Sequence, residues 1–472
     1  MKQWPWLAAG LLAAVTACSQ PKTATSVLQD AQKAMGNPTS IQYSGTGMNG
    51  FVGQALLAGQ EWPRRDLTAY ARNIDYDKRA SREEMTFKEA VFGGQQQNAE
   101  VVGDKAWNIG ANGPVPQPAT AEDRQLQIWM TPHGFIRGAL AAGNATLAQA
   151  EGSTDAVVSF TALNKFKLEG TIDANNQVVR VSTTVANPVM GDTQLVATYN
   201  DYKDFSGVKF PTKIAIEQGG FPAWELSISA VTPNAPLELP VPDAVASATV
   251  PPVQVASSSL GKGVWHLTGG SHHSLVVEFA DYIAVLEAPL SEERSLAVIA
   301  EARKLVPNKP IKYLFTTHHH FDHTGGLRTY AAEGATIVTH ASNVPYFEKV
   351  LVAPATISPD AQSKAQKAPV FQGVSDKWEL TDGTQKIEVY ATPGDIHTKE
   401  YTLIYLPVQK VLVEADAYSP GPADAPVPPM PPPNAVTLWD QVQALKLNVA
   451  TLAPIHGRGA VPFAEFKKFV KK

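Results

Sequence analysis

Thr317-His318-His319-His320-Phe321-Asp322-His323-Thr324-Gly325-Gly326 carries the densest chemistry in the chain. Alternate residues of an extended segment face the same side, so His318 and His320 can converge on one cation. Where the chain turns toward Gly325-Gly326, Asp322 and His323 can point at a second cation beside the first. Just upstream, Ile311 to Thr317 reads as a buried strand, and before it lies a helix capped by Ser291. Glu292 and Glu293 sit in that helix's first turn, where the dipole favours anions, and Leu296, Ile299 and Ala302 recur on one face. Two strand-like segments, 274–279 and 282–287, precede the helix. Strand, helix, strand order predicts an α/β layer arrangement, with the histidine cluster on a loop at a strand end, a common place for reactive groups.

Three later segments extend the pattern. His397 follows Ala391-Thr392-Pro393-Gly394, Asp416 follows the apolar run Val411-Leu412-Val413-Glu414-Ala415, and His456 lies in Ala453-Pro454-Ile455-His456-Gly457. Together with His-x-His-x-Asp-His, these pieces resemble the metallo-β-lactamase superfamily over roughly Gly263 to Gly459. The resemblance implies an αβ/βα sandwich holding two ions. His318, His320 and His397 would take the first, Asp322, His323 and His456 the second, and Asp416 would bridge them. Imidazole and carboxylate without thiolate suit two zinc ions, with iron or manganese as alternatives. Metal-assisted hydrolysis follows: a shared water whose pKa falls toward about 7 attacks an acyl or phosphoryl centre, and Asp322 orients it or shuttles its proton. The sequence departs from the family pattern at Asp395-Ile396, which separate Pro393-Gly394 from His397, and at Ala415, where glycine is usual.

Other residues near the motif have competing readings. His319 faces away by alternation and reads as a supporting or packing residue; His340 reads as structural, and His272 and His273 stay unassigned. Glu287 ends an early strand as either a support for the site or a bystander. Lys399 and Tyr418, close to His397 and Asp416, are candidates for substrate contact against a structural alternative. The proline-rich run 419–433 lacks backbone donors and must wrap the surface, either walling the pocket or leading as a spacer to a helix capped near Asn434.

The 472-residue length implies more than one domain. Lys2 followed by the short apolar run Leu7 to Val15 reads as an export signal over 1–18, too short to span a bilayer. Val15-Thr16-Ala17-Cys18 resembles the bacterial lipobox, with Cys18, the single cysteine, as the lipidation site. The resemblance implies a periplasmic protein held at the outer membrane by its N-terminal lipid, with 19–26 as a flexible tether. Short alternating stretches over 27–232, such as 156–161, 178–184 and 213–217, predict an antiparallel β domain. The segment 199–211 resembles lipoprotein-carrier-like folds, which curl a sheet around an apolar cavity. No polar constellation in this half looks catalytic, and its lone histidine, His133, reads as a turn residue. Proline-rich 233–252 reads as a linker to the hydrolase domain, 253–472. The predicted fold class is therefore two-domain α+β.

A formal net charge of −5 and the lack of a basic groove argue against nucleic acid as a partner and for a small-molecule substrate. Three functions compete: hydrolysis of an ester, lactone, amide or β-lactam bond; cleavage of a small phosphodiester; and a non-catalytic envelope lipoprotein with a structural metal site.

Overall fold

The structure, a computed structural model, describes residues 22–90, 94–394 and 397–471. The export segment with Cys18 and the pair Asp395-Ile396 lie outside the described residues.

Ser40 to Pro233 build a thirteen-stranded antiparallel sheet. Its first strand, Ser40–Gly50, pairs on one side with Arg64–Asp75 and on the other with the last strand, Phe221–Pro233. Two meanders therefore run outward from a central seam. The seam tolerates no side chain at Gly45 or Gly47, where an added Cβ would meet the oxygens of Ser227 and Glu225 at 2.0 and 2.1 Å. Strand residues alternate as the pleat requires; in Phe166–Ile172 the first, third, fifth and seventh residues are buried.

Helices Ala24–Met35, Ala121–Met130 and Pro132–Ala142 pack with the sheet around one core. The first begins inside the expected tether: Thr23 and Ser26 form a capping box, and Val27, Leu28, Ala31 and Met35 bury one helical face. His133 likewise lies in a helix, not a turn. Pro132 suits the first helical position, and the Thr131 side chain accepts from Gly134 N. A cavity of about 220 Å³ is lined by residues including Tyr43, Tyr70, Arg72, Tyr199 and Phe210. The proline-rich 233–252 segment is packed down as well: Ala235, Leu237 and Val245 are buried, so the apolar residues between its prolines anchor it.

The C-terminal half is a four-layer sandwich. A seven-stranded sheet, with parallel pairing from Ile283–Leu286 through Val370–Val374, faces a six-stranded sheet across a shared apolar core. Helices Glu292–Leu305, Leu327–Glu333 and Val344–Val350 cover the first sheet. Helices Pro433–Ala444 and Phe463–Phe469 cover the second. Ser291 caps its helix as expected, accepting from Arg294 N. The buried stripe, however, runs through Ser295, Val298, Ile299 and Ala302, while Leu296 is exposed. The last long helix starts at Pro433 with no side-chain cap, so Asn434 lies inside its first turn. Among the described residues no helix is long and apolar enough to cross a membrane.

The two halves are joined by more than the connecting chain. Val189, at the tip of a hairpin in the first sheet, is fully buried in the core of the C-terminal half. Asp192 accepts from Thr356 N and Oγ1 and from Ile357 N. A second contact, the loop after Ser40–Gly50, reaches the histidine cluster.

His133 offers a test of the first core. Its ring is stacked on Phe210, and burial lowers its pKa from 6.5 to about 4. The unfolded chain takes up a proton near pH 6.5 that the folded chain refuses until about pH 4, so stability falls with pH across that window. Unfolding free energies are expected to fall about 3 kcal/mol further in wild type than in His133→Gln between pH 6.5 and 4. Equal pH slopes would show that His133 does not titrate this way.

Candidate metal centre

The site is assembled at one end of the sandwich by loops leaving both sheets. Strand Ile311–Phe315 delivers His318, His319 and His320, and the single helical turn Phe321–Thr324 carries Asp322 and His323. Thr402, on the opposing sheet, donates from N to Thr317 O at 2.8 Å and from Oγ1 to Thr316 O at 3.0 Å, clamping the start of the loop. Asp416 follows Val411–Glu414 with φ +63°, a left-handed conformation that aspartate tolerates better than most residues. Tyr401 secures the turn, its hydroxyl lying 2.5 Å from both O and N of Ala415. His456 follows Thr451–Pro454 and bridges to His272 through the backbone.

All seven ligand positions expected from the sequence converge. His318, His320, His397 and Asp416 form one group able to hold an ion, with ligand atoms within 4.8 Å of one another. Asp322, His323 and His456 form a second, joined by His272. Asp416 connects them: its Oδ2 lies 3.2 Å from His318 Nε2, 2.9 Å from His323 Nε2 and 3.2 Å from His397 Nε2, and its Oδ1 lies 2.8 Å from His456 Nε2.

The outward-facing atoms of these ligands are already taken, which decides the atom each presents inward. Thr317 Oγ1 lies 3.1 Å from His318 Nδ1, leaving Nε2. His323 Nδ1 meets Glu287 Oε2 at 2.9 Å, also leaving Nε2. His320 donates from Nε2 to Ala55 O at 2.9 Å, which leaves Nδ1. Nε2 of His318, Nδ1 of His320 and Oδ2 of Asp416 are buried without a hydrogen-bond partner. Buried polar atoms are rarely left so, and a shared cation accounts for all three.

Protonation tendencies agree. Burial, reinforced by charge on His323, lowers the pKa of His318 to about 3, and burial with neighbouring imidazoles holds His320 down too. Burial opposes ionisation of Asp416 and Asp322, yet the surrounding imidazoles outweigh it and keep both low. Burial also opposes charge on His323, but Asp416, Glu287 and Asp322 outweigh it and hold its pKa well above normal. Neutral imidazoles and ionised carboxylates are the state a divalent cation requires, and the proton on His323 sits where an ion would neutralise the same carboxylates. Glu414, fully buried, is pushed up to about 8 by burial and by Asp416, so it stays neutral at the base of the turn.

Glu287 proves to be a supporting group: fully buried, with φ +69°, it also accepts from Thr317 N at 2.6 Å. His319 turns away from both groups and donates to Ala55 O at 2.8 Å. His340 caps a short turn through Ser342, outside the site. Tyr418 packs on Phe466 and Phe469 and donates to Glu465, so it points away from any substrate. The Lys399 side chain is exposed, while its backbone N donates to Leu56 O at 2.9 Å and its O accepts from Gly394 N at 3.2 Å. The proline-rich run begins beside His456, where Pro420 O and Gly421 O accept from Arg458 N and Nε, and is then largely exposed.

Two contributions escaped the sequence. His272 was left open because nothing in its spacing links it to the motif; its Nε2 lies 3.2 Å from Asp322 Oδ2. Gln54 and Ala55 come from the half that looked chemically silent, and Gln54 Nε2 donates to Asp322 Oδ1 at 2.7 Å. Phe51-Val52-Gly53-Gln54-Ala55 carries no motif that signals this contact.

The four-layer fold brings paired His/Asp groups together at one edge, in the arrangement of a metal-binding domain. Residues 267–456 match the model of the metallo-beta-lactamase superfamily, so this part of the chain is similar to that superfamily. Solved structures similar to it include a metallo-beta-lactamase from Pontibacter korlensis, 19% identical, covering 46% of this chain and 98% of that one, TM-score 0.35. Another is a metallo-beta-lactamase from Pseudomonas aeruginosa in a mono-zinc form, 17% identical, covering 46% and 94%, TM-score 0.34. A curated relative is the 2,4-dinitroanisole O-demethylase subunit alpha of Nocardioides sp. (strain JS1661), 26% identical over 160 residues, 34% of this chain. The match spans 45% of that relative's length.

Asp416→Asn is expected to weaken binding of both ions, because each group loses a shared oxygen. His272→Ala should weaken only the ion at Asp322, His323 and His456, by about 10–100-fold. Competition against a metallochromic chelator would measure both, and wild-type affinities in His272→Ala would remove it from the ligand set.

Proposed function

We propose that this chain is a dinuclear, zinc-dependent hydrolase that cleaves an ester, lactone, amide or β-lactam bond in a small molecule. The observation that carries this reading is the shared Asp416 carboxylate, with three imidazoles around Oδ2 and a fourth at Oδ1. Two zinc ions held by these groups would lower the pKa of water toward about 7 and polarise the scissile oxygen. The chain's own part is positional and protolytic. Glu287 and Thr317 hold His323 and His318 in the tautomers that leave Nε2 inward. Asp322, kept ionised, orients the attacking water and shuttles its proton. Arg458, the cation beside His456, is paired with Glu465, which favours an acyl over a phosphoryl substrate.

A screen of a β-lactam, lactones, a thioester, simple esters and a phosphodiester, with and without chelator, tests the reading. Chelator-sensitive turnover of an acyl substrate is expected, and Asp322→Asn should lower kcat by about 10²–10⁴-fold. Turnover of the phosphodiester alone would replace the acyl assignment, and no turnover by protein carrying two zinc ions would overturn it.

The proposal includes a periplasmic location with a lipid on Cys18, supported by the apolar run that precedes it. Mass spectrometry of the mature N-terminus should find an acylated Cys18, and Cys18→Ser should move the protein from the membrane fraction to the soluble one. An unmodified Cys18 would exclude the anchor.

A further inference from the structure

The loop between strands Ser40–Gly50 and Arg64–Asp75 is the only part of the N-terminal domain that the described residues bring into hydrogen-bond contact with the metal ligands, and four consecutive residues of it are engaged. Gly53 O accepts from Phe321 N at 3.2 Å. Gln54 Nε2 donates to Asp322 Oδ1 at 2.7 Å. Ala55 O accepts from His319 Nε2 at 2.8 Å and His320 Nε2 at 2.9 Å. Leu56 O accepts from Lys399 N at 2.9 Å, two residues from His397. The approach is close: Gly53 has φ +78°, and a Cβ there would lie 2.4 Å from the Phe321 ring.

These contacts choose between equivalent ligand atoms. A carboxylate offers two oxygens and an imidazole two nitrogens, and the hydrogen bond on one decides which remains for a cation. Ala55 takes Nε2 of His320 and leaves Nδ1 to the group with His318, His397 and Asp416. Gln54 takes Oδ1 of Asp322 and leaves Oδ2, the oxygen 3.6 Å from His323 Nε2 and 3.2 Å from His272 Nε2. The N-terminal domain thus reaches one ligand of each group, by a backbone carbonyl in one case and a side chain in the other. Only the side-chain contact can be removed by substitution without altering the backbone.

We propose that Gln54 is a positioning residue of the metal centre, acting through Asp322, and that the N-terminal β domain is a working part of the hydrolase site. The role rests on the dinuclear reading above. An amide donor suits it: a cationic donor would compete with the metal for the carboxylate, and an acidic residue would repel it.

The test uses the chain with both domains present, with zinc as the probe. Wild type, Gln54→Met, Gln54→Glu, Asp322→Asn and the Gln54→Met/Asp322→Asn double variant are titrated against a competing chelator, with metal-free thermal unfolding recorded for each. Gln54→Met, close to glutamine in size, is expected to bind one of the two zinc ions about 10–100-fold more weakly and the other as wild type does. Gln54→Glu should be weaker still at the same ion. In the Asp322→Asn background, Gln54→Met should add less than about a twofold further loss, because the two residues act through one contact. Two ions held with wild-type affinities by Gln54→Met, equal weakening of both ions, or independent losses in the double variant would each overturn the role of Gln54. Wild type that holds fewer than two ions would instead overturn the dinuclear reading, so the two failures are distinguishable.

Discussion

A carboxylate buried among imidazoles needs a positive charge nearby, and the geometry around Asp416 follows from that need. Asp416 Oδ2 has three imidazole nitrogens within 3.2 Å. A buried anion is costly without positive charge beside it, and protonating one imidazole relieves only part of the cost. Metal ions held by the two His/Asp groups would use the inward-facing atoms together. The supports follow the same logic: Glu287, Thr317 and Ala55 occupy the outward atoms, and Glu414, kept neutral, braces the turn through Ala417 N and Tyr418 N without adding charge.

That arrangement depends on ends of strands from two facing sheets meeting at one edge of the sandwich. Parallel strands on the first sheet deliver the His318 loop, and the parallel pair Val411–Glu414 and Thr451–Pro454 on the second delivers Asp416 and His456 side by side. The apolar core between the sheets sets their spacing, while Thr402 and Tyr401 convert that spacing into the position of particular loops. The N-terminal domain adds a third side. Val189 buried in the second domain's core and Asp192 bonded to its 356–357 backbone hold the halves together, so the Gln54 loop is presented to the site by a docked body.

Much of the C-terminal half was legible in the sequence because its signals are local. Two histidines one residue apart at the end of an apolar strand, and an aspartate and a histidine just beyond them, point to a paired metal site whatever surrounds them. Ser291 as a cap and 419–433 as surface chain follow from equally local chemistry. Local reading failed where an element takes its identity from what it packs against. The helix at Ala24–Met35 and the helix that holds His133 are short, and the sheet they cover supplies most of their stability. Leu296 keeps helical spacing but falls on the solvent side, because the sheet meets the face through Ser295 and Val298.

The sequence by itself determined the ligand types, their spacing along each loop and the strands that carry them, since backbone alternation and residue chemistry act over a few positions. Only the tertiary structure decided which ligand atoms face inward, that Tyr418 turns away, that His272 joins Asp322, and that Gln54, 268 residues before Asp322, holds it. Those outcomes depend on contacts between chain segments brought together by burying apolar surface, and such contacts leave no local pattern at either end.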